Sequence, residues 1–579
     1  MKKTGFTLIE LLAVIVILAI IALIATPIVL NIIKDTKESS GLRSAEFYLG
    51  AVETAVTKKI MDDSTFKPTN CKIQSDSNLN CDGINVTVEI KGEAPIGGEV
   101  ILQNGKVKDV IFDYNEKTIV KKYDTLQYIY RESRNIEIPV LYNDILTPVV
   151  YDGNNWIIAD ITEKWYNYSS QEWANAVILN SSVKKEIGDI ITVEGENPDA
   201  LAMFVWIPRY EYKIEGKYGK GGTNASSPGE IEVNFITKDT KESTDTYRIH
   251  PAFNFGGEDI SGIWVGKFEL SHTIKNSYLN CKTETCVESD NLRILPNTKS
   301  LSSSAVSSFF YAIRSMSKDE NIFGIKSSIM DTHMIKNSEW GAVAYLSQSR
   351  YGKYGNNTYV GKNKEVYINN SSSMYTGRSG GSYGGNTQVN KVYSELSSTN
   401  DMFIGSGYYT YDGYLLEYNT NNKTETRDMN KVASTTGNIY GIYDMSGGGW
   451  EFVMGVFANS EGDKWTHNSG FSGKTGESGI DKQGLDWPDE KYYDLYKASS
   501  GITISPITAC NGDVCYGHAL SETSGWYVDL WSFVFSTEPW FRRGGSYGNG
   551  INAGVFFSYG SIGSTEGGYA SRAVITQAT

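Results

Sequence analysis

Gly5-Phe6-Thr7-Leu8-Ile9-Glu10-Leu11-Leu12 opens an apolar run that continues unbroken to Ala25, and no charge follows Glu10 before Lys34. The 28 residues from Phe6 to Ile33 make a helix of about 42 Å, longer than the hydrocarbon core of a bilayer. Lys2 and Lys3 ahead of it favour a cytoplasmic N-terminus. A secretory signal or a plain membrane anchor is the simplest reading, and two residues oppose it. A secretory signal carries its small-residue cleavage site after the apolar run, whereas Gly5 stands before it. Glu10 lies inside the run, where an unpaired carboxylate costs several kcal/mol and needs a partner. Cleavage between Gly5 and Phe6 would create an α-amino group on Phe6, and that group on a neighbouring subunit is the partner Glu10 lacks.

These residues are similar, position by position, to the cleavage and methylation motif of type IV prepilins, and Pro27 stands where many pilin helices bend. The resemblance implies that residues 1–5 are a leader, that a prepilin peptidase cuts after Gly5 and methylates Phe6, and that the retained helix packs against other pilin subunits. It also implies residence in the cell membrane before assembly. Afterwards the chain would sit at the cell surface in a pilus or pseudopilus, single-pass, with its C-terminal region outside the cytoplasm.

Past Lys34 the pattern turns amphipathic. Ala45, Tyr48, Leu49, Val52, Ala55, Val56 and Ile60 recur at spacings of three and four, which predicts that the helix runs on to residue 62 with one face covered. Strands to cover it follow: Ile84–Ile90 alternates, and Gly98–Gln103 and Val107–Tyr114 flank the turn signal Asn104-Gly105. A long helix on an antiparallel sheet is the pilin head, so residues 63–125 are assigned to that sheet. Nothing in it reads as catalytic.

The chain of 579 residues exceeds one ordinary core and predicts two or three domains. Its 40% hydrophobic and 21% charged residues are those of a globular protein. The 53 basic against 67 acidic residues, a net charge of -14, argue against a phosphate-tracking surface, and no nucleic acid is expected as partner. Six cysteines fall into three close pairs: Cys71/Cys81, Cys281/Cys286 and Cys510/Cys515. Disulfides closing short loops suit an exported chain, each adding ~2–3 kcal/mol. Metal binding is the rival, but none of the pairs has Cys-x-x-Cys spacing and only His518 lies close to any of them.

After a linker placed at 126–145, residues 146–579 alternate short aromatic strands with polar, Gly-rich loops. Strands are expected at Met203–Tyr212, Ile263–Leu270 and Val555–Tyr559, and helices at Gln171–Val177 and Ser338–Tyr345, an α+β pattern. Five segments together resemble the formylglycine-generating enzyme (sulfatase-modifying factor) family, a variant of the C-type lectin fold. They are Gly262 to Glu269 (GIWVGKFE), Asn337 to Tyr345, Tyr440 to Phe452 (YGIYDMSGGGWEF), Arg543-Gly544-Gly545-Ser546-Tyr547 and Ser571-Arg572-Ala573. Their order and approximate spacing are kept across 146–579.

The chemistry of that family does not carry over. Two cysteines downstream of Gly-Gly-Ser bind its copper; the corresponding positions here are Asn549 and Gly554, and neither supplies a thiolate. The five histidines, His250, His272, His333, His467 and His518, show no metal-ligand spacing and read as surface or hydrogen-bonding residues. No copper, iron or nucleotide is expected, and no catalysis. Four residues match positions that bind calcium in the family: Asp444 and Glu451 through carboxylates, Gly447 and Gly449 through carbonyls. Gly448, where the family has Asn, loosens that loop. The plain alternative is that Asp444 caps a turn and Glu451 is hydrogen-bonded in the core.

The C-terminal stretch Tyr547 to Tyr559 is dense in Tyr, Asn, Ser and Gly, residue types that make adaptable contact surfaces. Phe556 and Trp540 read as core, as do Trp450 and Trp526. Tyr547, Asn549, Asn552 and Tyr559 are the candidates for binding an extracellular glycan or protein, with turn-making and core filling as the alternative. The expected function is a minor pilin or pseudopilin displaying a non-catalytic, adhesin-like domain. A structural subunit of a secretion or DNA-uptake pseudopilus, or an unrecognised enzyme on the same fold, are the alternatives. Replacing Gly5 with Leu blocks the cut, so the variant accumulates as uncut precursor in the membrane; a mature mass after Gly5→Leu, read by intact mass spectrometry, would refute the assigned processing site.

Overall fold

The computed structural model describes residues 39–579 except 91, 104, 115–117, 123–124, 134, 143, 215–227, 245, 275–277, 357–364, 370, 379–432, 476–479, 482 and 499–514. Gly5, Phe6, Glu10 and the apolar run lie outside the described residues, as does Cys510. Among the described residues no helix is long and apolar enough to cross a membrane. The chain divides into two compact units, Met1–Arg134 with Ile161–Lys164, and Asn135–Asp160 with Trp165–Thr579.

In the first unit a helix over residues 39–62 buries Ala45, Tyr48, Val52 and Val56, the three-and-four stripe read from the sequence. Leu49, Ala55 and Ile60 pack beside them, half-buried. Tyr48 meets Phe112 edge to face at 5.2 Å, and its hydroxyl donates to the Ser77 carbonyl at 2.8 Å, the partner a buried phenol requires. The covering sheet has seven antiparallel strands, in the order Ile84–Val86, Leu79–Cys81, Asn70–Ile73, Gly97–Gln103, Lys106–Asp113, Thr118–Lys122 and Thr125–Ile129. Three were expected. The strand expected over Ile84–Ile90 stops at Val86, because the Val88 N–H donates to the side chain of Asn78 at 3.0 Å rather than to a neighbouring strand. Val86 and Val88 are both still buried: alternation reports burial, not pairing. Cys71 and Cys81 face each other across antiparallel neighbours and are joined by a disulfide.

Among the described residues the second unit has a three-stranded sheet of Ile231–Phe235, Tyr210–Ile214 and Arg248–Ile249, three two-stranded ones, and two large sheets. One has eight strands, in the order Ile190–Ile191, Trp156–Ile158, Thr147–Tyr151, Asn175–Leu179, Ala200–Pro208, Gly262–Gly266, Ala573–Gln577 and Met330–Met334. The other aligns Asp494–Ala498, Trp450–Asn459, Trp540–Gly544 and Gly554–Ser561, with Tyr569–Ala570 pairing Trp450–Asn459. With its helices, the architecture is α+β. Three sequence expectations are corrected. The strand expected at Ile263–Leu270 ends at Gly266. Met203–Tyr212 is not one strand: it breaks after Pro208, which lacks an N–H, and Arg209 turns inward to donate to the carbonyls of Phe253 at 2.8 Å and Thr240 at 3.0 Å. Gln171–Val177 is not a helix: a single 3-10 turn at Tyr168–Ser170 leads into the strand Asn175–Leu179, held between two neighbours. A short apolar run carries no period that separates the two states, and pairing decides. The expected helix at Ser338–Tyr345 lies within Asn337–Ser347, every residue of which is buried. Cys281 and Cys286 form a second disulfide, and Cys515 is also disulfide-bonded.

A buried ionic network ties that helix to the end of the large sheet. His333 donates from Nδ1 to Asp331 at 2.9 Å and from Nε2 to the Glu339 carboxylate at 2.9 Å, which requires the imidazolium. The other Glu339 oxygen accepts the Lys336 N–H at 2.8 Å and caps the helix start. Asp331 also accepts from Arg314 at 2.9 Å and from the Tyr492 hydroxyl at 2.6 Å. Burial pulls the His333 imidazole down, but the Glu339 and Asp331 carboxylates outweigh it and raise it above its ordinary 6.5. Burial pushes Asp331 up, and the bonds from His333, Arg314 and Tyr492 hold it down at about 2. The stabilisation from His333 is therefore complete below pH 6.5 and fades as pH rises through its raised value. That from Asp331 is complete above its ordinary 3.8 and is lost as pH falls toward 2. His333→Gln can donate to only one of the two carboxylates. It should cost ~3–5 kcal/mol and flatten the alkaline limb of a Tm-against-pH curve; an unchanged alkaline limb would show that His333 is not the buried cation.

Candidate functional site

Four of the five family-like segments meet at the turn Asp444 to Glu451. Asp444, Gly447 and Gly448 all have positive φ, +64°, +81° and +72°, a region that favours glycine. A Cβ on Gly447 would stand 2.2 Å from the Asn369 carbonyl oxygen, and one on Gly448 would stand 2.6 Å from Glu269 Oε1. Gly448 therefore does not loosen the loop: it is glycine because the Glu269 carboxylate occupies the space a side chain would take. The Gly449 N–H donates to that same Oε1 at 2.8 Å, and Ser300 Oγ donates to Oε2. The Gly447 N–H donates to the Gly544 carbonyl at 3.2 Å, and the Tyr547 N–H to the Gly448 carbonyl at 2.8 Å, so the Arg-Gly-Gly-Ser-Tyr segment is laced to the turn. Arg572 closes the cluster. Its Nη2 lies 2.5 Å from Glu451 Oε1 and its Nε 3.1 Å from Oε2, while Nη1 donates to the Gly266 carbonyl at 2.7 Å and Nη2 to that of Tyr443 at 2.8 Å.

Glu269, Asp444, Glu451 and Arg572 are all buried to within 1%. Three acids around one guanidinium leave an excess of negative charge, and the protonation states answer to it. Burial, with Asp444 and Glu451 nearby, raises the Glu269 carboxyl well above its ordinary range. Burial also raises Asp444, against the pull of Arg572 and of donors from Asn369 and Gly377. Burial raises Glu451 as well, opposed by Arg572, and its two-point bond to that arginine is the geometry of an ion pair. Lys267, on the far side of the turn, is fully buried and donates to Asn175 Oδ1 at 2.7 Å and to the carbonyls of Ile439 and Gly441 at 2.7 and 2.8 Å. Burial lowers its pKa.

The calcium ligands expected from the resemblance are Asp444, Gly447, Gly449 and Glu451, and this donor arrangement does not fit the ion. Both Glu451 oxygens are taken by Arg572. Asp444 Oδ1 accepts from Asn369 Nδ2 and the Gly377 N–H, both at 2.8 Å. Counting only His, Cys, Asp and Glu side chains, Cys281, Cys286 and Glu288 are the one group among the described residues with three ligand atoms within 4.8 Å of one another, and those two cysteines form a disulfide. The positive charge that the resemblance assigned to calcium is supplied here by Arg572. Sequence reasoning placed Arg572 in the terminal motif without its role, and quoted Glu269 without pairing it to the turn. Asn369 carried no signal, because it lies in a polar segment without periodicity.

The four candidate ligand-binding residues are placed as follows. Tyr547 is half-buried beside the turn. Asn549 is half-buried, its Oδ1 accepting from the Ser546 N–H at 2.8 Å and the Ser546 hydroxyl at 3.2 Å. Asn552 is exposed, and Tyr559 is half-buried on the strand Gly554–Ser561. Phe556, Trp540 and Trp526 are core, as expected; Trp450 is only half-buried. At Gly554 the structure leaves no room for a side chain: a Cβ would stand 2.2 and 2.3 Å from the two carboxylate oxygens of Asp529, one of which accepts the Phe556 N–H at 3.0 Å.

Residues 1–26 match the model of the prokaryotic N-terminal methylation motif. No curated protein matches the chain. The motif supports a type IV pilin-like or pseudopilin-like surface protein, processed by a prepilin peptidase and assembled with other pilin subunits. For the turn, the expected outcome is that a chelator leaves the thermal unfolding of the full chain unchanged. Arg572→Met, which strands Glu451, should destabilise by ~3–5 kcal/mol. A Tm that falls in EDTA and returns with calcium chloride would restore the ion to this site.

Proposed function

We propose that this chain is a minor pilus or pseudopilus subunit whose second unit, residues 135–160 and 165–579, is a non-catalytic ligand-binding head of the formylglycine-generating-enzyme-like, C-type-lectin-like kind. The observation that carries the reading is the join of the methylation motif at residues 1–26 to a large unit in which four of the five family-like segments converge on one buried charge cluster. Support for a binding rather than an oxidising role comes from two positions. Asn549 is engaged by Ser546 and Gly554 has the Asp529 carboxylate beside it, and neither residue offers the thiolate that copper chemistry uses. Tyr547, Asn552 and Tyr559 retain exposed area for contact. Assembly runs through the N-terminal helix, where Glu10 pairs with the α-amino group of a neighbour's Phe6.

Glu10→Val removes that pairing while making the helix more apolar. The variant should be stable in the membrane and nearly absent from sheared filaments, as measured by immunoblot of both fractions; equal incorporation would end the pairing idea. Low copy number in purified filaments would support display of a head, and abundance equal to the major subunit would favour a lattice role.

A further inference from the structure

We propose that Arg542 is the anion-recognising centre of the ligand face and that it takes the carboxylate of an acidic sugar. This rests on the reading of the second unit as a ligand-binding head. On the second sheet Arg542 lies opposite Phe452 on one side and Tyr559 on the other, so these side chains share a face. Its guanidinium sits 4.9 Å from the Trp450 ring centre, 4.8 Å from that of Tyr559 and 5.8 Å from that of Tyr569. Nη1 donates to the Tyr569 hydroxyl at 3.1 Å. Three rings hold the group in place by cation–π attraction, while Arg542, Trp450 and Tyr559 all keep partial exposure.

Arg542 joins two features: no carboxylate partner, shared with Arg248, Arg293 and Arg543, and a clamp of three rings around a partly exposed guanidinium. Arg131 pairs with Asp113, Arg209 with Asp259, Arg314 with Asp331, and Arg572 with Glu451. No carboxylate lies within ion-pair distance of Arg542 among the described residues, although the chain carries 67 acids. Its immediate neighbour Arg543 points the other way, fully buried and donating to Asn337 and the Ala519 carbonyl. The nearby Glu566 bonds the Tyr569 hydroxyl at 3.3 Å, not the guanidinium. Nε is buried without a partner, so a planar carboxylate would meet the terminal nitrogens of this oriented, partly exposed guanidinium end-on. The flanking Trp450 and Tyr559 rings offer apolar area beside a polar rim, which suits the mixed surface of a sugar.

A peptide strand is the weaker occupant. Trp450–Asn459 and Trp540–Gly544 are internal to the sheet. The far edge at Gly554–Ser561 is already covered: the Ser532 N–H donates to the Ser558 carbonyl at 2.7 Å and the Ser558 N–H to that of Leu530 at 3.0 Å. No backbone ladder is open there for strand addition.

The test uses the full chain in detergent micelles, titrated calorimetrically with sodium glucuronate, glucose and an oligoglutamate peptide, each at low and high salt. Glucuronate should bind roughly tenfold more tightly than glucose, with the advantage shrinking in high salt. Arg542→Gln should abolish the advantage, and Arg542→Lys should keep only part of it, since an ammonium lacks the fork; thermal melts check that both variants fold. Equal affinity for glucose and glucuronate overturns the anion assignment and leaves the ligand-binding reading standing. Preference for oligoglutamate overturns the sugar. Absence of binding to all three overturns this proposal alone if a broad glycan and protein array still returns a ligand, and takes the ligand-binding reading with it if the array is blank.

Discussion

The second unit depends on one ion pair. Arg572 reaches Glu451 with two nitrogens and spends its remaining donors on the carbonyls of Gly266 and Tyr443. Those partners belong to two segments far apart in sequence from each other and from Arg572, so a single guanidinium fixes the C-terminal strand, the opening motif strand and the glycine turn together. A buried pair of this kind contributes modestly to net stability, because desolvation offsets most of the attraction. Its effect is on which arrangement is allowed: any register that separates Arg572 from Glu451 leaves a naked charge in the core, and several kcal/mol exclude it. The glycines follow from the same constraint. Gly448 has no side chain because Glu269 must reach the Gly449 N–H, and Gly447 has none because the turn crosses the Asn369 carbonyl at contact distance.

The sequence was most legible where a period runs long. The stripe from Ala45 to Val56 named the buried face of the first helix, and the expected helix near Trp340 was correct although its residues are buried on all sides and show little amphipathic pattern. Legibility failed where pairing, not periodicity, decides. Asn175–Leu179 has the composition of a buried helix turn and became a central strand. Met203–Tyr212 reads as one strand, yet Pro208 and the inward turn of Arg209 split it between two sheets. In the small sheet, strands of three to five residues alternate too briefly to be seen.

The candidate site was legible in its segments and not in its partners. Four of the five motifs marked by resemblance come together at Asp444 to Glu451. What the sequence could not supply was who neutralises whom, since that is a property of distance in three dimensions. Glu269, Arg572 and Asn369 are separated by about a hundred residues or more from one another or from the turn, apart from the shorter Asn369–Asp444 span. Resemblance suggested a divalent cation there, and a monovalent guanidinium fills the electrostatic role instead. With three acids and one arginine, the imbalance favours protonation: burial and the neighbouring Asp444 and Glu451 charges raise Glu269, against the donor from Ser300.

Gly554 and Arg542 show how one sheet separates inert positions from available ones. Beside Gly554 the Asp529 carboxylate has taken the volume a catalytic thiol would need, and it is committed to the Phe556 N–H. Refilling that volume with a side chain would displace a buried acid. On the neighbouring strand the opposite holds. Arg542 is held by rings rather than by an acid, so its charge is oriented without being neutralised. Buried Arg543 is satisfied by Asn337 and the Ala519 carbonyl, whereas Arg542 keeps the cost of an unpaired charge low by staying partly in water. That same partial exposure is what makes the group reachable from outside.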